Sequence, residues 1–267
     1  MTGAVVETVP GLSGRRVIVS EWIKFRSLRS TWFSFGAALV VAIGLGILFS
    51  ALRGHDIAAH GGVGPDFDPV QMSLRGVFLA QLAVGVLGVL MITGEYSTGM
   101  IRASLSAVPR RVPVLLSKAL VFASATFVIT TIAALIAFLG GQAALHSDHL
   151  GVSITSGGAA RAVLGAGLYL VVVGLLALGC GFALRNTGGA IATLFGLLLV
   201  LPILGEALPS SWQDHVVKYL PMNAGSAIMT AKRDPTMLSP WAGLGVFALY
   251  ALAALAVGFA VLRRRDA

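Results

Sequence analysis

The chain has 267 residues, of which 57% are hydrophobic and only 11% charged, and its mean hydropathy is +0.89. A soluble domain carries about 25% charged residues because its surface faces water, so this composition points to a surface that faces lipid. The net charge of +8 fits the Lys and Arg that membrane proteins keep on cytoplasmic loops; no RNA-binding aromatic stretch or zinc-finger spacing accompanies it, so nucleic acid is not an expected partner.

Taken in chain order, residues 1–16 read as a flexible, mildly polar N-terminus without the basic-then-apolar order of a cleaved signal peptide. Residues 17–267 read as a single transmembrane domain. Val17–Ser30 is expected to form an amphipathic helix in the headgroup layer. Ile18, Trp22, Phe25 and Trp32 recur near helical spacing and would dip toward acyl chains, while Lys24, Arg26 and Arg29 would lie near lipid phosphates. A hydrocarbon core about 30 Å thick takes about 20 apolar residues in a helix. Thr31–Leu52, Leu74–Thr93, Ala119–Leu145, Ala162–Leu184, Gly188–Gly205 and Trp241–Leu262 meet that length and hold no Lys, Arg, Asp or Glu apart from flanking residues. Only Arg185-Asn186-Thr187 joins the fourth and fifth, which predicts a tight antiparallel hairpin.

Basic residues orient the spans. With the N-terminus inside, all of the 19 Lys and Arg fall on the cytoplasmic side except Arg53, Arg75, Arg161, Lys218, Lys232 and Arg233, a positive-inside bias. Asp56, Asp66, Asp68, Asp148, Glu206, Asp214 and Asp234 fall outside, and both termini are expected to be cytoplasmic.

Two further segments stand apart from the spans. In the cytoplasmic connection Gly94–Ser117, Ser97 or Thr98 can cap a short helix running through Ile101 and Leu105, which Pro109 ends. Residue types alone leave two readings of it open: a surface helix with arginines on lipid phosphates, or a docking surface that moves both flanking spans together. The outer segment Glu206–Pro240 is half apolar (Trp212, Val216, Val217, Tyr219, Leu220, Met222, Ile228, Met229), so it is expected to pack on the spans or dip into the bilayer.

Three motifs carry a resemblance. Ser20-Glu21-Trp22-Ile23-Lys24-Phe25-Arg26-Ser27-Leu28-Arg29-Ser30-Thr31-Trp32 resembles the N-terminal signature of bacterial ABC-2 type transporter permeases. Glu95-Tyr96-Ser97-Thr98-Gly99-Met100-Ile101-Arg102, followed by Val108-Pro109-Arg110-Arg111, resembles that family's loop after the second span. Tyr219-Leu220-Pro221-Met222-Asn223-Ala224-Gly225 resembles its segment before the last span. The resemblance implies an all-α membrane protein with six transmembrane helices, an N-terminal interfacial helix, a cytoplasmic coupling helix and a partly apolar outer segment. It implies a permease subunit of an ABC exporter in the bacterial cytoplasmic (inner) membrane, working as a dimer, by the simpler expectation a homodimer, with separate ABC ATPase subunits that bind ATP and Mg. Glu95, Tyr96, Thr98, Met100 and Arg102 are then the candidates for ATPase contact, Val17–Ser30 is the connecting helix, and the outer segment holds short helices capping the path.

Other chemistry finds little support. A P-loop needs a Gly-Lys pair in GxxxxGK[ST], and the chain has none; no cofactor is expected in this chain, and it is not expected to be an enzyme. The 5 histidines (His55, His60, His146, His149, His215) fall on the expected outer side, and His146-Ser147-Asp148-His149 reads as a solvated loop rather than a metal site. Gln81, at mid-span, reads as an interhelical hydrogen bond sooner than a substrate contact, and Gly174, Ala177 and Gly181 as packing positions. The expected cargo is hydrophobic or amphiphilic. A gradient-driven secondary transporter or channel, which holds ionisable residues at midplane, and a non-transporting anchor or sensor subunit are the alternatives.

Overall fold

The computed structural model describes residues 14–27, 29–60, 67–100, 111–147, 149–232 and 234–264, and all regular structure among them is helical. The order is α1 (Gly14–Ser27), α2 (Arg29–His60), α3 (Pro69–Ser73), α4 (Val77–Ser97), α5 (Arg111–His146), α6 (Ala159–Leu184), α7 (Thr187–Phe195), a π-helical turn (Gly196–Val200), α8 (Leu201–Glu206), α9 (Ser210–Val216), α10 (Pro221–Ser226) and α11 (Pro240–Arg264). Six helical stretches are long and apolar enough to cross a membrane: Trp32–Ile57, Val77–Ser97, Leu115–His146, Ala159–Leu184, Thr187–Glu206 and Pro240–Arg263. They overlap the six expected spans one for one, with ends that differ: the first runs on to Ile57, the second lies at Val77–Ser97 rather than Leu74–Thr93, the third starts at Leu115 and the fourth at Ala159. Leu74–Gly76 form the turn between α3 and α4 rather than the start of a span, because Asp68 Oδ1 accepts from Val70 and Gln71 N–H and starts a separate short helix at Pro69.

The fourth span, α6, is the centre of the bundle and packs against α4, α5, α7 and α11. Its small residues permit this. A Cβ at Gly174 would meet the Phe122 ring at 2.2 Å, and one at Gly88 on α4 would meet the Gly174 carbonyl at 2.7 Å; without a hydrophobic drive between helices in lipid, such close approach supplies the association. Tyr169 on α6 donates its hydroxyl to Gln81 Oε1 on α4, both side chains fully buried, so Gln81 is an interhelical bond. The α6–α7 hairpin is as tight as expected: Arg185 turns the chain at φ +53°, and Asn186 Oδ1 accepts from Gly189 N–H at 2.8 Å to start α7. The fifth span is not one regular helix. Pro202 has no N–H to give, and Leu201 N–H instead bonds back to Gly196 O, which opens the π turn.

The segment Glu206–Pro240 packs on the spans through short helices, as expected. Residues 224–229 are buried, with Gly225 set against Phe247 and Tyr169, and Ile228 against Gly165. Two side chains grip its far end. Asp68 Oδ2 accepts from Ala231 and Lys232 N–H at 2.8 and 3.0 Å, and Arg161 donates to the Ile228 and Thr230 carbonyls at 3.3 and 2.8 Å.

Cys180, the sole cysteine, is buried, so a thiol-reactive fluorescent dye reports unfolding. In that assay Gly174→Val should melt several degrees below the wild type, since overpacking costs about 1–3 kcal/mol. Gly245→Ala, where nothing lies within 4 Å, should leave the melting temperature unchanged or raise it.

Candidate functional site

Four charged side chains meet where α1, α4 and α5 come together, beside the turn that ends α4. Lys118 on α5 is 1% exposed. Its Nζ lies 2.5 Å from Glu21 Oε2 on α1 and 2.7 Å from Glu95 Oε1 on α4. Lys24, one turn beyond Glu21, lies 2.7 Å from Glu21 Oε1 and 3.6 Å from Glu95 Oε1. Two carboxylates and two ammonium groups thus form a neutral unit joining three helices. Glu95 Oε2 is buried without a hydrogen-bond partner among the described residues.

Electrostatics explains why Glu21 and Lys24 stay ionised. Burial opposes the Glu21 charge, but Lys118 and Lys24 outweigh it and hold the carboxyl below its ordinary value of 4.5. Burial likewise opposes the Lys24 charge, and Glu21 and Glu95 outweigh it, so Lys24 lies above its ordinary 10.5. Burying a charge is costly unless another charge meets it, and here each buried charge has a partner.

Successive helical side chains point about 100° apart, so Tyr96 leaves α4 on another face. The Arg185 guanidinium lies 5.1 Å from its ring centroid, a cation–π contact. Arg185 also donates to Val261 O on α11 at 3.3 Å, and Thr187 Oγ1 donates to Thr93 Oγ1 at 2.9 Å. The end of α4 is therefore fastened on two sides: through Glu95 to α1 and α5, and through Tyr96 and Thr93 to the α6–α7 turn, which Arg185 links to α11.

The helix then stops. Thr98 N–H bonds to Gly94 O and Gly99 N–H to Tyr96 O, with Gly99 at φ +72°, where glycine needs no Cβ relief. Ser97 and Thr98 hydroxyls donate back to Gly94 O at 3.0 and 2.9 Å. These bonds close the end of α4; whether either hydroxyl also caps the helix expected next turns on amides outside the described residues. The expected helix through Ile101 and Leu105, with Arg102, lies outside the described residues.

Of the proposed contact residues, Thr98 and Met100 are exposed, whereas Glu95 is buried and Tyr96 half-buried. On α1 the expected lipid face splits in two. Trp22 is exposed and stacks on Phe25 at 6.0 Å, but Phe25 is 2% exposed and meets Phe35 and Phe122 edge-on. Val17, Glu21 and Phe25 form one buried seam at i, i+4, i+8, so α1 packs on α5 as well as facing outward. Arg26 is exposed, and its carbonyl accepts from the Trp32 indole N–H at 3.1 Å; Arg29 begins α2. A mainly apolar hollow of about 320 Å³ opens between α1 and α4, walled by Phe25, Leu87, Leu90 and Met91, with Lys24, Glu95 and Lys118 of the ion cluster also lining it.

Sequence reasoning missed Glu21 and the burial of Lys118. The available signal was unlike charges three apart on α1 and an acid and a base flanking the same loop. Among the described residues no group of three His, Cys, Asp or Glu is placed to hold a metal; Asp148 of the 146–149 run lies outside them.

A family model described as ABC-2 family transporter protein matches residues 17–203. The chain belongs to that family. This ABC-2 family chain is a multi-pass membrane permease, a transmembrane component and not a catalytic domain. The match takes in α1, the ion cluster and the whole α6–α7 hairpin, while the Tyr219–Gly225 motif and α11 lie beyond it. No curated protein matches the chain.

Removing one partner from a buried ion pair costs about 3–5 kcal/mol, whereas replacing the whole set with apolar or neutral groups is close to neutral. Lys118→Met in this ABC-2 permease should therefore lower the melting temperature strongly, and the triple variant Glu21→Gln/Glu95→Gln/Lys118→Met should recover most of the loss. The pH dependence follows from the two shifts. The depressed Glu21 contributes stability that is whole above 4.5 and lost as pH falls through its lower folded value. The raised Lys24 contributes stability that is whole below 10.5 and lost as pH climbs past its higher folded value. The stability difference between wild type and Glu21→Gln should be flat at neutral pH and shrink under acid in the same dye-based melt.

Proposed function

We propose that this chain is the transmembrane subunit of an ATP-driven exporter in the bacterial cytoplasmic membrane. It pairs with a second copy of itself and with two copies of a separate ATPase, which bind ATP and Mg. Both termini and the Glu95–Arg102 loop face the cytoplasm, and the cargo is hydrophobic or amphiphilic. The observation that carries this reading is the double fastening of the loop's root: Glu95 to α1 and α5, Tyr96 and Thr93 to the turn after α6. A protein pressing on Thr98 and Met100 therefore acts on several helices at once.

Further support comes from the family, whose members generally work with an ABC ATPase, and from the lack of a Gly-Lys pair in the sequence. The buried charges sit within a turn of the span ends at Ser97 and Leu115, beside the loop, rather than at the midplane where ion-coupled carriers hold them. The mainly apolar hollow between α1 and α4 favours an apolar or amphiphilic cargo. In the cycle, closure of the two ATPases on ATP would push the loops together and turn the spans from inward- to outward-facing. In this division of labour Thr98, Met100 and Arg102 touch the ATPase, and Glu95 and Tyr96 position the loop.

The test is purification of the tagged chain from its native membrane in mild detergent. A stoichiometric partner with a Walker A sequence should co-purify, and a cysteine at Met100→Cys should cross-link to it. Arg102→Glu should weaken that association. Glu95→Gln should leave the partner bound yet lower the transport-linked stimulation of its ATP hydrolysis at least about fivefold. Recovery of the chain alone in several detergents, with ATP analogues present, would contradict the proposal.

A further inference from the structure

On the membrane side opposite the loop, the first turns of α6 and α11 flank a cavity of about 520 Å³, within the roughly 300–1,000 Å³ span of small-molecule sites. Its chemistry is divided. Arg161 and Lys232 supply positive charge, and Met237 and Leu238 supply apolar surface. Arg161 is held in place by the Ile228 and Thr230 carbonyls, which take two of its N–H groups out of the five that a guanidinium carries. Lys232 is exposed and, among the described residues, enters no salt bridge. Asp234 is the one acid in the lining, and its Oδ1 accepts from Thr236 N–H and Oγ1 at 2.8 and 2.6 Å, which turns that oxygen into its own loop.

The level of the cavity decides between ligands. Arg161 is two residues into the Ala159–Leu184 span, and Trp241 is one residue into Pro240–Arg263. Trp241 is 64% exposed, at the depth where tryptophan settles between headgroups and acyl chains. Two cations over an apolar floor at that depth match an anionic phosphodiester with its chains in the bilayer; a water-soluble anion would gain nothing from the apolar wall.

We infer that this cavity binds the headgroup of an anionic phospholipid from the leaflet opposite the coupling loop, with Lys232 and Arg161 on the phosphate and Trp241 against the upper chains. Because Arg161 also grips the Ile228 and Thr230 carbonyls, the bound lipid braces the buried end of the outer segment. This site is independent of any ATPase.

The experiment is native mass spectrometry of the delipidated, detergent-purified full chain titrated with phosphatidylglycerol or phosphatidylcholine. Phosphatidylglycerol should bind in preference, and Lys232→Glu should lower its affinity on the order of tenfold. Lys218→Glu, a charge reversal on the same side but outside this cavity, should leave it unchanged. Equal binding of the two lipids, an equal loss in both variants, or displacement by millimolar inorganic phosphate would overturn the inference.

Discussion

A charge has no place in the interior of a membrane domain unless another charge meets it there, and the loop-side half of this permease is built around one such meeting. Lys118 reaches from α5 into a space closed by α1 and α4, and Glu21 and Glu95 come to it. An unpaired charge at any of the three positions would be costly to bury. Together with Lys24 they cancel. That requirement fixes where α1 lies: its Val17–Glu21–Phe25 seam must face the bundle, which leaves Trp22 and Ile23 to the outside. It also fixes the end of α4, since Glu95 leaving the cluster would leave two ammonium groups, Lys118 and Lys24, to share the Glu21 carboxylate.

The cluster gains meaning from the residue that follows. Tyr96 leaves the helix about 100° further round and meets Arg185, itself in a left-handed conformation because the α6–α7 hairpin has so few residues in which to reverse. One helical step thus separates two different sets of partners. The loop beyond Gly99 springs from a point that the bundle holds on both flanks, and a force applied there is shared rather than absorbed by a single helix. At the opposite end of the bundle the same logic recurs with backbone partners: Asp68 and Arg161 hold the segment that leads back to α11 by its amides and carbonyls. The two rigid ends enclose a centre made of small residues, where α4 and α6 slide close together.

Much of the fold was legible in the sequence because lipid imposes a simple rule. Twenty apolar residues make a span, and all six were found, along with the hairpin at Arg185–Thr187 and the packing roles of Gln81 and Gly174. The family resemblance placed the loop. What escaped was whatever the same rule hides. Hydropathy alone ends the second span at Thr93 and begins the third at Ala119, which leaves Glu95 and Lys118 in the connection, while the helices carry both inside. Phe25 was read with Trp22 on a lipid face because both are aromatic and three apart, yet the charge pattern of α1, with Glu21 one turn before Phe25, marks the seam that packs. The Ser97 and Thr98 hydroxyls donate back to Gly94 O and help close α4, a role their N-cap composition does not announce. The π turn before Pro202 has its cause in the sequence, although a hydropathy count does not see it.

The central claim is that Lys118 holds the loop-side ends of α1, α4 and α5 as one unit, and amide hydrogen exchange measures it most directly. In membrane nanodiscs, wild-type amides of Val17–Phe25 and of Thr93–Tyr96 should be strongly protected. In Lys118→Gln, protection should fall in those two stretches and at the start of α5, while α6 and α11 keep theirs. Unchanged exchange in α1 and at the end of α4, or a uniform loss across all six spans, would contradict the account.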